Sequence, residues 1–130
     1  MFVTSWARYG VIVCKALAKA YDEHKPIAAR AIAEAENLPA DYTEQILLRL
    51  RRAGVVVSMR GAKGGYILAM PPAATTLLSV FLAFDPDNFA VPVGIDARVA
   101  PVMARLQTTV CAALAEMTLA DAVKDAEPSK

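Results

Sequence analysis

The sequence predicts a mainly α protein carrying one small β-hairpin. Apolar residues recur at three- and four-residue spacing over most of the chain, which is the period of a helix with one buried face. One stretch breaks that rhythm: two short apolar runs flank a glycine-rich turn, Arg60 to Gly65. At 130 residues the chain is one domain's worth. With 56% hydrophobic and 21% charged residues and a mean hydropathy of +0.37, it is too apolar for a disordered chain.

The first helix is expected from Thr4 or Ser5, as caps, to about Tyr21. Tyr9, Ile12, Val13, Ala16, Leu17 and Ala20 share its inward face, while Val11, Cys14 and Ala18 lie off it and are also apolar. That pattern predicts packing on two sides. Pro26 suits the first turn of a second helix, with Ile27, Ala31 and Ile32 inward. Asn37-Leu38-Pro39 breaks the chain, because a residue before proline is pushed out of the helical region.

A third helix follows from about Ala40 to Ala53, with Asp41 either its cap, completed by Glu44, or in its first turn. Thr43, Ile46, Leu47 and Leu50 face inward, leaving Tyr42, Glu44, Gln45, Arg49 and Arg52 on open surface. Gly54 supplies the left-handed conformation that ends it. Val55–Met59 and Tyr66–Ala69 then read as the hairpin. Two helices joined by a short turn and followed by such a hairpin form a winged helix-turn-helix.

Pro71 and Pro72 end the hairpin, and Thr75 or Thr76 caps a fourth helix running to about Asp85. A loop follows, then a long helix from about Asp96 to Met117 whose Val99, Val102, Met103, Leu106, Val110, Ala113, Leu114 and Met117 form a seam suited to dimerisation. Thr118 to Asp121 resembles a capping box for a short last helix, and Glu127 to Lys130 reads as a frayed tail. The expected organisation is a winged helix-turn-helix over residues 1–84, a loop over 85–95, and a dimerisation helix with a short C-terminal helix over 96–130. Met59, Met70, Met103 and Met117 read as core filler.

The charge is divided unevenly. Residues 1–63 hold ten Lys and Arg against six Asp and Glu, net +4, whereas residues 64–130 hold four against seven, net −3. Arg49, Arg51, Arg52, Arg60 and Lys63 lie in one stretch without an acid, a density that suits a polyanion. Tyr42, Glu44 and Gln45 stand near the start of the helix that would enter a major groove, where glutamine can pair with adenine and glutamate can accept from cytosine. Arg60, beside Gly61, suits a narrow and strongly negative minor groove.

The string Leu48-Arg49-Leu50-Arg51-Arg52-Ala53-Gly54-Val55-Val56, followed by Arg60-Gly61-Ala62-Lys63-Gly64-Gly65-Tyr66, resembles the Rrf2 (Rrf-two) winged-helix transcriptional regulators. The likeness extends from Thr4-Ser5 and Arg8-Tyr9 to Thr118-Leu119-Ala120. It implies a homodimer whose long C-terminal helices cross and whose recognition helices read a partly palindromic operator in double-stranded DNA. It also implies DNA contacts by Tyr42, Glu44 and Gln45, a minor-groove wing at Arg60 and Gly61, and phosphate contact or structural pairing at Arg49 and Arg51. Asp41 stands where a small hydroxyl is common in the family, and Ala62-Lys63 replaces the more usual Pro-Gly.

Family members that hold an iron–sulfur cluster carry three cysteines in the loop before the long helix. Here that loop has none, and the whole chain has two, Cys14 and Cys111, with one histidine, His24. No cluster, metal or other cofactor is expected, because iron–sulfur clusters are held chiefly by thiolates. Both cysteines read as small buried hydrophobes, and two alone exclude a disulfide framework and suit a reducing cytoplasm. A small molecule, a partner protein or a thiol switch remain the candidate signals.

No catalytic triad can be assembled with one histidine, so an enzyme is not expected. Gly64 to Phe84 carries no charge, but its glycines and prolines divide it into two short elements, and no membrane partner is expected. The competing reading is a winged-helix module that binds protein instead of an operator.

Overall fold

The computed structural model describes residues 4–89 and 94–125. The part of the expected loop at 90–93 and the tail expected at Glu127 to Lys130 lie outside the described residues. The order of elements is α1 (Ser5–Lys19), α2 (Ala29–Glu36), α3 (Ala40–Arg52), β1 (Val56–Met59), β2 (Gly65–Leu68), α4 (Leu77–Phe84), α5 (Ala100–Glu116) and α6 (Leu119–Lys124). Mainly α with one hairpin is therefore the observed class.

Helix α1 starts where its cap places it: Thr4 accepts from the Ala7 N–H. Its buried face is Ala7, Gly10, Val13, Cys14, Leu17 and Ala18, so the stripe read from spacing is corrected. Cys14 and Ala18 belong to the core, while Ile12 and Ala16 are only half-buried. The reason is that α1 is surrounded, packing against α3, α4, α6, α2 and β2. At Gly10 a Cβ would stand 2.3 Å from Cε2 of Phe84. Only a bare backbone lets α1 and the end of α4 approach so closely.

Helix α2 begins at Ala29, not at Pro26, and Ala31 is exposed while Ala29, Ile32 and Ala33 are buried. Ile27 instead forms an isolated β-bridge. Its N–H donates to the Tyr66 carbonyl at 3.0 Å and its carbonyl accepts from the Tyr66 N–H at 2.8 Å, an antiparallel bridge to the hairpin. Asn37, left-handed at φ 55°, ends α2.

Helix α3 ends at Gly54 as expected. The Val55 N–H reaches the Leu50 carbonyl at 2.9 Å and the Gly54 N–H reaches that of Arg51 at 3.0 Å, the paired bonds of a Schellman cap, with Gly54 at φ 80°. β1 and β2 pair antiparallel with Val56 opposite Leu68 and Met59 opposite Gly65.

One core joins these elements. Val13, Cys14, Leu17, Ile32, Ile46, Leu47, Leu50, Val56, Val80 and Leu119 are all essentially inaccessible to solvent within it. Leu119 shows that α6 closes the same core as α1. The chain is drawn back there by a bridge between Thr76 and Thr118, with the Leu77 N–H on the Met117 carbonyl and the Leu119 N–H on that of Thr75. The expected capping box forms: Thr118 accepts from the Asp121 N–H, and Asp121 accepts from the Thr118 N–H. The Thr118 N–H and the Thr118 hydroxyl, with Lys124 nearby, hold the Asp121 carboxyl below its ordinary range. Met59, Met70 and Met117 are exposed, which corrects their reading as core filler. Met59 lies on the hairpin, Met70 on the connection before α4 and Met117 on the short connection between α5 and α6, where among the described residues no second layer covers them.

Candidate nucleic-acid interface

Helix α3 divides into two faces. Thr43, Ile46, Leu47 and Leu50 are fully buried against the core, which leaves Glu44 and Gln45 exposed on the opposite side. Pro39 occupies the cap position without a side-chain bond, and Asp41 lies in the first turn. Glu44 is thus not used in a capping box. Neither it nor Gln45 bonds another described residue, so both retain their hydrogen-bonding capacity for something outside the chain.

Tyr42, at the head of the same helix, is half-buried. Its ring packs 4.7 Å from that of Trp6 and meets Tyr9 edge-on at 5.4 Å. Trp6 in turn stacks on Phe84 at 6.2 Å. The N-terminal helix therefore supplies an aromatic platform beneath the start of α3, a role that the helical spacing of Trp6 and Tyr9 did not reveal by itself. Arg49 seals this platform, with its guanidinium carbon 4.4 Å from the Trp6 ring centroid and Nη1 donating to the Phe84 carbonyl at 3.5 Å. Of the two roles left open for Arg49, structural pairing is the one with partners on hand. Arg51 and Arg52 are exposed at the end of α3 and have no described partner.

In the hairpin, Arg60, Gly61 and Lys63 all lie in the exposed turn. Gly61 has φ 111°, a conformation that costs other residues strain, and its carbonyl accepts from the Gly64 N–H at 3.0 Å to close the turn. Gly65 has a different task. A Cβ there would lie 2.4 Å from the carbonyl carbon and oxygen of Ile27, so glycine is what lets the bridging Ile27 press against the hairpin. The wing is consequently a fixed projection of the core, held by the β1–β2 ladder and the single bridge to Ile27.

Helix α5 has no buried residue. Val110, Cys111 and Leu114 pack on Ala7 and Phe81, while Val99, Val102 and Leu106 are 46%, 58% and 43% exposed. Only part of the expected seam is used within the chain. Pro101 sits in the first turn of α5 and does not kink it, and the helix starts at Ala100, after an Asp96–Arg98 ion pair of 2.6 Å. No helix among the described residues is long and apolar enough to cross a membrane.

A helix-turn-helix with free polar side chains on its second helix, followed by a cationic wing, defines a winged-helix DNA-binding regulator. Residues 3–125 match the family model described as Rrf2, iron-dependent transcriptional regulator, and the chain belongs to that family. It is 35% identical over 133 residues to the putative HTH-type transcriptional regulator slr0846 of Synechocystis sp., covering 97% of this chain and 90% of that protein. Among solved structures it is similar to CymR, the global cysteine regulator of B. subtilis, with a TM-score of 0.83, 32% identity, and coverage of 96% of this chain and 98% of that one. The T. potens IscR structure matches with a TM-score of 0.79 and 33% identity, over 96% of this chain and 88% of that one.

The iron in the family's description is not matched by a thiolate set here. Cys14 is fully buried and its thiol is pushed up to about 12 by desolvation, far from the thiolate a metal needs. Cys111 packs in the small cluster between α5 and Phe81. Among the described residues no three His, Cys, Asp or Glu side chains are grouped as a metal site.

Proposed function

We propose that this regulator acts as a homodimer on a specific operator, with the start of α3 in the major groove and the hairpin turn in the minor groove. The observation that carries the reading is that Glu44, Gln45 and Arg60 are exposed and bonded to no described residue, although the elements bearing them are anchored in the core. Such side chains have hydrogen bonds to offer without a competing internal partner. Arg51, Arg52 and Lys63 are assigned to phosphates. Tyr42 contributes its edge, and Arg49 holds Tyr42 in place through Trp6. The open face at Val99, Val102 and Leu106 is assigned to the second protomer, since an amphipathic helix exposing three large aliphatic residues gains most by pairing.

The same reading has the protein regulating transcription without a catalytic step and without an iron–sulfur cluster, because the chain holds two cysteines and one is deeply buried. Visible absorption of anaerobically purified protein tests the latter, and a cluster band refutes it.

The main test is fluorescence polarisation over promoter fragments at low and near-physiological salt. Sequence-dependent binding that survives the higher salt is expected. Binding that vanishes equally for all fragments points instead to a protein-binding module.

A further inference from the structure

The wing does not stand alone on its outer side. The turn after α1 and the far end of the hairpin turn enclose a groove of about 620 Å³ lined by Glu23, His24, Lys25, Pro26, Lys63 and Gly64. His24 takes a left-handed conformation at φ 50°, its N–H donates to the Tyr21 carbonyl at 2.8 Å, and its ring rests 5.6 Å from that of Tyr21. That reversal brings Lys25 to the lining of the same groove as Lys63. Both lysines are exposed and neither has a described partner. Glu23 is the one acid in the lining, so the two lysines leave the groove cationic even with His24 neutral.

We propose that this groove is a second DNA-backbone site, in which Lys25 and Lys63 hold phosphates of the strand that leaves the minor groove occupied by Arg60. The inference rests on the DNA-binding reading above and extends it to a segment outside the helix-turn-helix and wing. Three features favour phosphodiester oxygens as the occupant. Arg60 and Lys63 stand at opposite ends of one short turn, so a guanidinium entering the minor groove brings Lys63 to the groove's rim, where the backbone runs. The minor groove is only about 6 Å wide, which puts the flanking phosphates within reach of side chains on either side of the wing. Finally, the lining offers ammonium groups and no base-reading amide, which suits contacts that position the protein and carry no sequence information.

The experiment is a polarisation titration of the full chain against a fluorescein-labelled mixed-sequence duplex of about 30 base pairs, three helical turns, at several salt concentrations. Parent, Lys25→Ala, Lys63→Ala, Lys25→Arg and Arg60→Ala proteins are compared, with thermal melts to verify that each is folded. Removing one phosphate contact lowers the slope of log K against log salt by about 0.9. The loss of affinity between about 50 and 200 mM salt then shrinks by about threefold. Lys25→Ala and Lys63→Ala are each expected to show this, equally on all duplexes, and Lys25→Arg is expected to restore the parent slope. A parent slope in Lys25→Ala, while Arg60→Ala still weakens binding, overturns the inference and leaves the DNA-binding reading standing. A parent protein that binds no duplex at any salt overturns both.

Discussion

Arg49 lies with its guanidinium carbon 4.4 Å from the centre of the Trp6 ring, and through that ring it is one step from Tyr42. The cation thus belongs to the support of the start of α3. A planar guanidinium can stack on the indole and still donate to the Phe84 carbonyl, which lysine's single ammonium does less well.

Replacing Arg49 by alanine is therefore expected to cost about 1 kcal/mol of stability, mostly the cation–π contact. It also loosens Tyr42. Trp6 is the single tryptophan of the chain, so its emission reports the change directly, as a red shift in Arg49→Ala that Arg49→Lys only partly reverses. Unchanged emission together with an unchanged melt refutes the supporting role.

Arg60→Ala is expected to lose about 1 to 3 kcal/mol of operator affinity. The loss falls mainly on sites with narrow minor grooves, because an arginine in that groove reads its width through its potential. Competition between duplexes with and without A-tracts measures the difference. Equal loss on both assigns Arg60 to a phosphate instead.

Gly65→Ala introduces a methyl 2.4 Å from the Ile27 carbonyl at φ 153°. The strand pairing must open or the backbone must shift, a cost of about 2 kcal/mol or more. A lowered melting temperature with faster amide exchange at Tyr66 and Ile27 is the expected signature.

The capping box at Thr118 gives a pH dependence whose sign is fixed. Asp121 is held below its ordinary range by the Thr118 N–H and hydroxyl, and by Lys124. Its contribution is present above the unfolded carboxylate value, about 3.9, and is lost as pH falls through the lower folded value. Thermal melts from neutral to strongly acidic pH should show Asp121→Ala less stable than the parent near neutrality and converging with it in acid. A constant gap across the range counts against the assignment.

Leu106→Glu puts a charge on the open face of α5. Sedimentation is expected to give twice the 13.9 kDa chain mass for the parent and a single chain for the variant. A parent that sediments as one chain removes the homodimer.

Local chemistry made much of this legible. Thr4, Thr76, Thr118 and Gly54 act on their own neighbours, so the caps they signal are where spacing places them. The exposure of Glu44, Gln45 and Arg60 is legible for a related reason, since helical and hairpin periods decide which residues face out. What escaped depends on distant partners. Ile27 becomes a bridge residue only because Tyr66 shares two hydrogen bonds with it across 39 positions of sequence. Cys14 is core because five elements crowd α1 from several directions, and period alone assigns a helix one inward side. Arg49 carries the same charge as Arg51 and Arg52, and only the arrival of Trp6 and Phe84 from other helices separates its role from theirs.

The bridge between Thr76 and Thr118 moors the far end of α5 beside the first residue of α4, while the last residue of α4 lies against Arg49 and Trp6. A lever pinned in this way cannot flap independently of the reading head. In the proposed dimer, torque applied to α5 by a second subunit would pass into α4 and from there to the ring under Tyr42, so the grip between protomers and the aim of α3 on a duplex would form one mechanical circuit.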